Sequence, residues 1–369
     1  MWPRIRALVV KELLAVWKDP RSRVVLIGPP IIQLLVFGYA ATYDLQDVPV
    51  AFYVEDQGGD ARELIARFEG SPVFDTVAYL ERESDIAQVI DARDVSLVVH
   101  IDQTFSRDLR IAQPAQVQVI VDGRNSNTAL ILTGYANTII RDFNIDWLAR
   151  HGERLPPATL VARAWFNPNL HSRWFIVPGI VALLTLVVTL VVTALSVARE
   201  RELGTFDQLL VTPLRPSQIL LGKSLAPLLI GIVEGTVIIA MAVFWFGVPL
   251  LGSLVLLYVG MILFLLAVIG VGLMISSLVR TQQQAILGAF LFLVPAIILS
   301  GFATPIANMS EAIVPITFVD PMRYFLVIVR GIFLQGMSAE LVIQQLWPLA
   351  LIALSSLSCA GWLFRNRLS

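Results

Sequence analysis

Six stretches of this chain are apolar for long enough to cross a bilayer as α-helices: 24–43, 175–198, 225–246, 251–278, 285–302 and 346–364. A helix rises about 1.5 Å per residue, so about 20 mostly apolar residues span the hydrocarbon core. A water-soluble fold would have too little polar surface to cover so many of them. The 369 residues are 56% hydrophobic and only 15% charged, with a mean hydropathy of +0.74, so lipid must be part of the solvent. The net charge of −1 conceals an asymmetry, because charged residues crowd into 44–173. Cys359 is the sole cysteine, which excludes an intramolecular disulfide.

Basic residues set the direction of the spans. One side collects thirteen: Arg4, Arg6, Lys11, Lys18, Arg21, Arg23, Arg199, Arg201, Arg215, Lys223, Arg280, Arg365 and Arg367. The other side has four near its helix ends, Arg163, Arg173, Arg323 and Arg330. Both termini are therefore expected in the cytoplasm and residues 44–173 outside. The third and fourth spans are separated only by Gly247-Val-Pro-Leu250, a breaker cluster that fits a tight antiparallel turn.

Residues 1–22 precede the first span, 24–43, with Arg4, Lys11 and Lys18 on one helical face and Ile5, Val9, Leu13 and Val16 opposite. That pattern reads as an amphipathic helix in the cytoplasmic interface. The other readings are a basic retention signal, or a signal peptide cleaved near Gly38-Tyr39-Ala40, although the apolar run is longer than a signal core.

From Val48 the hydrophobic period shortens to that of strands, with candidates at 48–54, 73–80, 95–101 and 117–121. Helical patterns at 60–68, 84–92, 104–111 and 127–150 lie between and after them, and 159–165 is a further candidate strand. The alternation predicts an α/β domain with a mixed sheet, large enough to bury its own core. The predicted fold class is thus a polytopic α-helical membrane protein of six transmembrane helices with an inserted extracytoplasmic α/β domain. No catalytic constellation is visible, and His100, His151 and His171 have no spacing that unites them as metal ligands. Asp122-Gly-Arg-Asn-Ser-Asn-Thr128 reads as a turn followed by a helix cap, or as a ligand-binding loop.

The cytoplasmic loop 199–223 mixes charge with an apolar stripe. Residues 205–211 would form two helical turns that Pro213 stops, with Phe206, Leu209 and Leu210 on one side. With no cytoplasmic domain to receive it, such a helix is a docking element for another protein.

The run Glu200-Arg-Glu-Leu-Gly-Thr-Phe-Asp-Gln-Leu-Leu-Val-Thr-Pro213 resembles the signature loop of ABC-2-type transporter permeases. Asp122–Ala129, Phe166-Asn-Pro-Asn-Leu170 and Val177-Pro-Gly179 resemble the bacterial sub-branch with a large external domain after the first span. Asp320-Pro-Met-Arg-Tyr324 and Arg330-Gly-Ile-Phe-Leu-Gln-Gly336 resemble the external segment before the last span. The resemblance covers essentially the whole chain. It implies a coupling helix seated in a groove of a separate ATP-hydrolysing subunit, with Glu200, Glu202, Gly204, Thr205, Phe206, Leu209, Thr212 and Pro213 as the ATPase-coupling residues. It implies residues 174–369 as a five-helix transmembrane domain, and an external re-entrant segment at 304–345 whose Pro321, Arg323, Tyr324, Arg330 and Gly331 form a gate. Pro305, Pro315 and Pro321 divide that segment into short helices, which fit where protein or a cavity covers their ends.

An energy source must be contained or borrowed. Gly222-Lys-Ser224 supplies the end of a phosphate-cradling motif, but Ser217 stands where its first glycine belongs and no strand precedes it. No cofactor is therefore expected on this chain, with ATP and Mg on the partner ATPase. Glu234 falls in the middle of the third span, where a carboxylate is costly unless paired or protonated. It is a proton-coupling site, a polar contact for substrate, or a side chain hydrogen-bonded within the bundle.

The sequence thus predicts the membrane subunit of an ATP-driven inner-membrane exporter of drugs or amphipathic molecules. It would work as a homodimer or heterodimer with a related permease, with a periplasmic adaptor as a further partner and no nucleic acid. A proton-coupled secondary transporter would need Glu234 to be essential, and no inverted repeat supports it. A membrane-anchored receptor or adaptor would leave Glu234 and the loop without purpose.

Overall fold

The computed structural model describes residues 2–18, 20–40, 45, 47–111, 113–124, 126–151, 171–205 and 215–368, with the side chains of 20–27, 40, 126, 127, 216, 367 and 368 outside that set. Two compact units result, residues 1–42 with 164–369, and residues 43–163.

The first unit begins with α1 (Trp2–Lys18) and α2 (Pro20–Ala40). It continues through α7 (Ser172–Glu202), α8 (Pro216–Phe244), α9 (Leu254–Leu278), α10 (Gln282–Leu299), the short α11 (Val314–Thr317), α12 (Pro321–Arg330) and α13 (Ala339–Leu368). Among the described residues, five helices are long and apolar enough to cross a membrane, α7 to α10 and α13, and α2 contains the shorter apolar helix Gly28–Tyr39. The protein is a polytopic helical membrane protein. Pro29 and Pro30 stay inside α2, which a helix tolerates where neighbouring helices take over freed backbone groups.

α7 is the central helix, packing against α2, α8, α9, α10 and α12. Its Thr185, Thr189 and Thr193 recur every fourth residue and are fully buried. Thr185 and Thr193 donate their hydroxyls to Val181 O and Thr189 O at 2.7 and 2.6 Å, so they enter the core without unpaired donors. Facing them on α8, a Cβ at Gly231 would stand 2.6 Å from Thr189 Oγ1, and one at Gly235 would stand 3.1 Å from Thr185. Small residues here let the two backbones approach, which is how helices associate in lipid. The turn between α8 and α9 rests on Gly247 at φ +64°, and Gly252 N donates to Ile332 O at 2.8 Å.

Several helices outrun their apolar cores. α7 reaches Glu202 and α8 starts at Pro216, because hydrophobicity marks only the part in lipid while backbone hydrogen bonding continues into the polar flanks. Gly222-Lys223-Ser224 is therefore helical, the opposite of a phosphate-cradling turn. α13 starts at Ala339, so the last residues of the segment read as external, 304–345, are the first turns of the last helix.

The second unit contains β1 (Val48–Val54), α3 (Gly59–Glu69), β2 (Phe74–Leu80), α4 (Glu83–Asp91), β3 (Leu97–Ile101), α5 (Phe105–Arg110), β4 (Val117–Val121) and α6 (Ser126–His151). The strand order is β2-β1-β3-β4, with β1 parallel to β2 and β3, and β3 antiparallel to β4. Phe52, Phe68, Phe105 and Phe143 fill the core between the sheet and α3, α5 and α6. Trp147 Nε1 donates to Asp60 Oδ1 at 3.0 Å, joining α6 to α3. The strand proposed at 159–165 lies outside the described residues, as does the 166–170 motif. His100 packs against Tyr53 at a tilt and His151 stacks on Trp147, with ring centroids at 4.8 and 4.1 Å. No group of three or more metal-ligating side chains occurs among the described residues.

Candidate coupling site

The segment predicted to couple to an ATPase is bounded by two buried charges, Glu200 on the last turn of α7 and Lys223 two turns into α8, 7% and 1% exposed. Lys223 Nζ stands 3.0 Å from Glu12 Oε1 and 3.2 Å from both the carbonyl and the hydroxyl of Ser196. Those contacts use its three N–H groups. Glu200 Oε2 lies 2.9 Å from the same nitrogen as a charge contact without hydrogen-bond alignment. Lys11 Nζ completes the cluster, 2.7 Å from Glu200 Oε1. Two cations thus face two carboxylates, and the cluster is neutral within itself, a condition for holding charge out of water.

The apolar surroundings explain how α1 reaches this point. Ile5 and Leu8 are its buried residues, and Leu8 packs with Val197, Ile219, Ile269, Leu273, Ala360 and Phe364. A Cβ at Gly222 would stand 3.0 Å from Leu8 Cβ, so the glycine admits α1 against α8. Beside Ile5 and Leu8, the buried residues of α1, Val9, Glu12, Leu13 and Val16 are half-buried.

Of the residues assigned to coupling, Glu202 Oε2 accepts from Gln282 N at the start of α10 at 2.7 Å. Exposed amides at a helix N-terminus favour such a carboxylate. Arg201 Nη1 donates to Ser277 O and Val279 O at 2.9 and 3.1 Å, at the end of α9. Gly204 takes φ +68°, the left-handed conformation that ends a helix, and Thr205 N returns to Glu200 O at 2.9 Å. Phe206, Leu209, Thr212 and Pro213 lie outside the described residues. The ends of the loop are thus tied to α1, α7, α8, α9 and α10, so a displacement of the loop must move these helices or break buried polar contacts.

The residues expected to form an external gate lie in a separate corner. Asp320 accepts from Met322 N at 2.9 Å and so caps α12, with Pro321 in its first turn. The Arg323 guanidinium lies 4.2 Å from the Phe318 ring centroid and donates to Thr317 Oγ1, and Tyr324 donates its hydroxyl to Phe318 O at 3.0 Å. Arg330 stands 3.8 Å over the Phe175 ring on α7, and Gly331 O accepts from Met337 N at 3.1 Å. α12 continues at Gly331 into a π-helical turn, Gly331–Gln335, whose Ile332 and Phe333 carbonyls accept from the α8–α9 turn. Glu234 is brought to neither cluster and lines a cavity between α1, α2 and α8.

Lys223, Glu12, Ser196 and Lys11 were not among the expected site residues. The available signal was that Lys223 and Glu234 are the two charges in the otherwise uncharged α8.

Residues 23–362 match the family described as ABC-2 family transporter protein. The chain belongs to that family and is a membrane permease subunit of the ABC transporter kind. It is similar to the probable multidrug ABC transporter permease YbhR of Escherichia coli (strain K12), 39% identical over 368 residues that cover 100% of both chains. The probable multidrug ABC transporter permease YbhS of the same strain is 34% identical over 356 residues, 95% of this chain and 93% of that one. The inner membrane transport permease YhhJ, again from that strain, is 31% identical over 263 residues, 70% of this chain and 69% of that one.

Proposed function

We infer that this permease is the membrane half of an ATP-driven exporter, in which residues 200–213 dock on a separate ATPase that binds ATP and Mg. Its termini and loop 199–223 face the cytoplasm, six helices including 24–43 cross the inner membrane, and residues 44–173 form an extracytoplasmic α/β domain that meets cargo or a periplasmic adaptor. Two such chains, identical or related, place two loops against two ATPase subunits, and closure of the ATPases on ATP drives the spans to open outward. Avidity in such a dimer compensates for the small area of one short helix. Drugs or amphipathic molecules are the cargo class, in line with the similarity to probable multidrug permeases.

The observation that carries this reading is the neutral cluster of Lys11, Glu12, Glu200 and Lys223, which clamps both ends of the loop to the bundle. A loop that served only as a connection would not need a buried lysine held between two carboxylates at its roots. Replacing Phe206 and Leu209 by glutamate should abolish co-purification with the cognate ABC ATPase while the permease still inserts and folds. Undiminished association in that variant would refute docking through this loop.

A further inference from the structure

In the second unit a cleft of about 400 Å³ opens between α5, α6 and the start of β4, within the size range of ligand pockets. Its buried floor includes Leu64, Phe105 and Phe143. Its polar side chains are the carboxamides of Gln116, Asn137 and Asn144, and no residue in its wall is ionisable. Asn137 and Asn144 are exposed and stand two turns apart on one face of α6. Among the described residues none of the three carboxamides has a hydrogen-bond partner.

β4 is an edge strand. Asp122 N donates to Ser96 O at 3.0 Å, in the register that sets Val121 opposite Leu97. Backbone groups alternate sides along a strand, so Gln118 and Ile120 turn theirs to β3 while Val117 and Val119 turn N–H and C=O to the open edge. Val117 also lines the cleft. A charged ligand would find no counter-charge here, and an apolar one would take water from the carboxamides without replacing its hydrogen bonds. An extended main chain supplies both donors and acceptors, to the carboxamides and to the edge of β4, and sets an uncharged side chain over the apolar floor. We propose that this cleft and the adjoining edge of β4 bind an extended, uncharged peptide segment of a partner protein, which adds a strand beside β4.

The inference deepens the reading that residues 44–173 meet a periplasmic adaptor, and rests on it only for the partner's identity; binding itself is a property of this chain without the ATPase. Affinity selection from a solution library of acetylated, amidated octapeptides of Ala, Val, Thr, Ser and Asn, against the full chain in nanodiscs, should yield peptides that bind saturably. Asn137→Ala combined with Asn144→Ala should weaken a selected peptide by about tenfold or more, the factor of two neutral hydrogen bonds. Both positions are exposed, so thermal stability should not change. Val117→Pro removes an outward N–H at the first residue of an edge strand, where proline is tolerated, and should weaken the same peptide by about threefold or more. Methylating alternate amide nitrogens of the peptide should abolish binding for one set and spare it for the other, because only alternate N–H groups face β4.

Selected peptides that bind wild type and the double asparagine variant equally would overturn the proposal. So would the absence of any saturable binder. Equal binding of both methylated sets would also overturn it, by assigning recognition to peptide side chains rather than to the main chain. Failure of ATPase co-purification in the loop variant would leave peptide binding unchanged, and loss of peptide binding in the cleft variants would leave co-purification unchanged, so the two readings fail independently.

Discussion

Replacing Lys223 by methionine keeps the length of the side chain and removes its charge. Glu12 and Glu200 both approach within 3.0 Å of the Lys223 nitrogen, so they stand no more than about 6 Å apart when it is gone. Two like charges at that separation repel by about 3 kcal/mol at an effective dielectric of about 20. That agrees with the lower end of the ~3–5 kcal/mol found when one partner of a buried pair is lost. Lys11 still faces Glu200 but is half exposed, so its compensation is screened. Lys223→Met should therefore cost about 3 kcal/mol in reversible unfolding from mixed detergent micelles. Adding Glu12→Gln leaves the Lys11–Glu200 pair intact and removes the repulsion, so the double variant should recover about 2 kcal/mol. A single variant within about 0.5 kcal/mol of wild type, the range of ordinary surface substitutions, would refute the reasoning, as would a double variant no better than the single.

Two further outcomes follow from the packing. In the second unit, burial pushes the Glu63 carboxyl up, but ion pairs with Arg150 and Arg67 more than offset this and hold it below its ordinary value. Its contribution is therefore fully present above the unfolded value of about 4.3 and is lost as pH falls through the lower folded value. Amide exchange in β1 of the full chain, corrected for intrinsic rate, should rise across that acid window and rise less in Glu63→Gln. At Gly270 of α9 a Cβ would stand 2.7 Å from the Ser356 carbonyl carbon of α13, and backbone cannot rotate aside. Gly270→Ala should lower stability by about 1–3 kcal/mol, read in the same micelle assay.

The elements of the second unit were legible because apolar spacing changes with every element. Candidate strands at 48–54 and 117–121 coincide with β1 and β4, and the helix expected at 127–150 is α6, Ser126–His151. Spans were legible from length and composition, while their ends were not, since a helix keeps its hydrogen bonds past the last apolar residue. Glu200 and Glu202 accordingly sit on α7 rather than in a loop. The clamp was illegible for a different reason. Lys223 and Glu12 are 211 residues apart, and no periodicity links charges that meet only through the packing of α1 against α8. Glu234 stood out because a charge at the middle of a span is costly wherever its partner is. The sequence contained no sign of the groove beside it, which three helices form together.

If the loop between α7 and α8 meets an ATPase while residues 44–173 face the other side of the membrane, only one of the two is within crosslinking reach of that ATPase. Cys359 is exposed and would first be replaced by serine. Thr205→Cys and, separately, Asp91→Cys would then carry a benzophenone photocrosslinker in membranes that also contain the cognate ABC ATPase. A permease–ATPase adduct is expected from position 205 and none from position 91. An adduct from position 91, or equal yields from both, would contradict that arrangement.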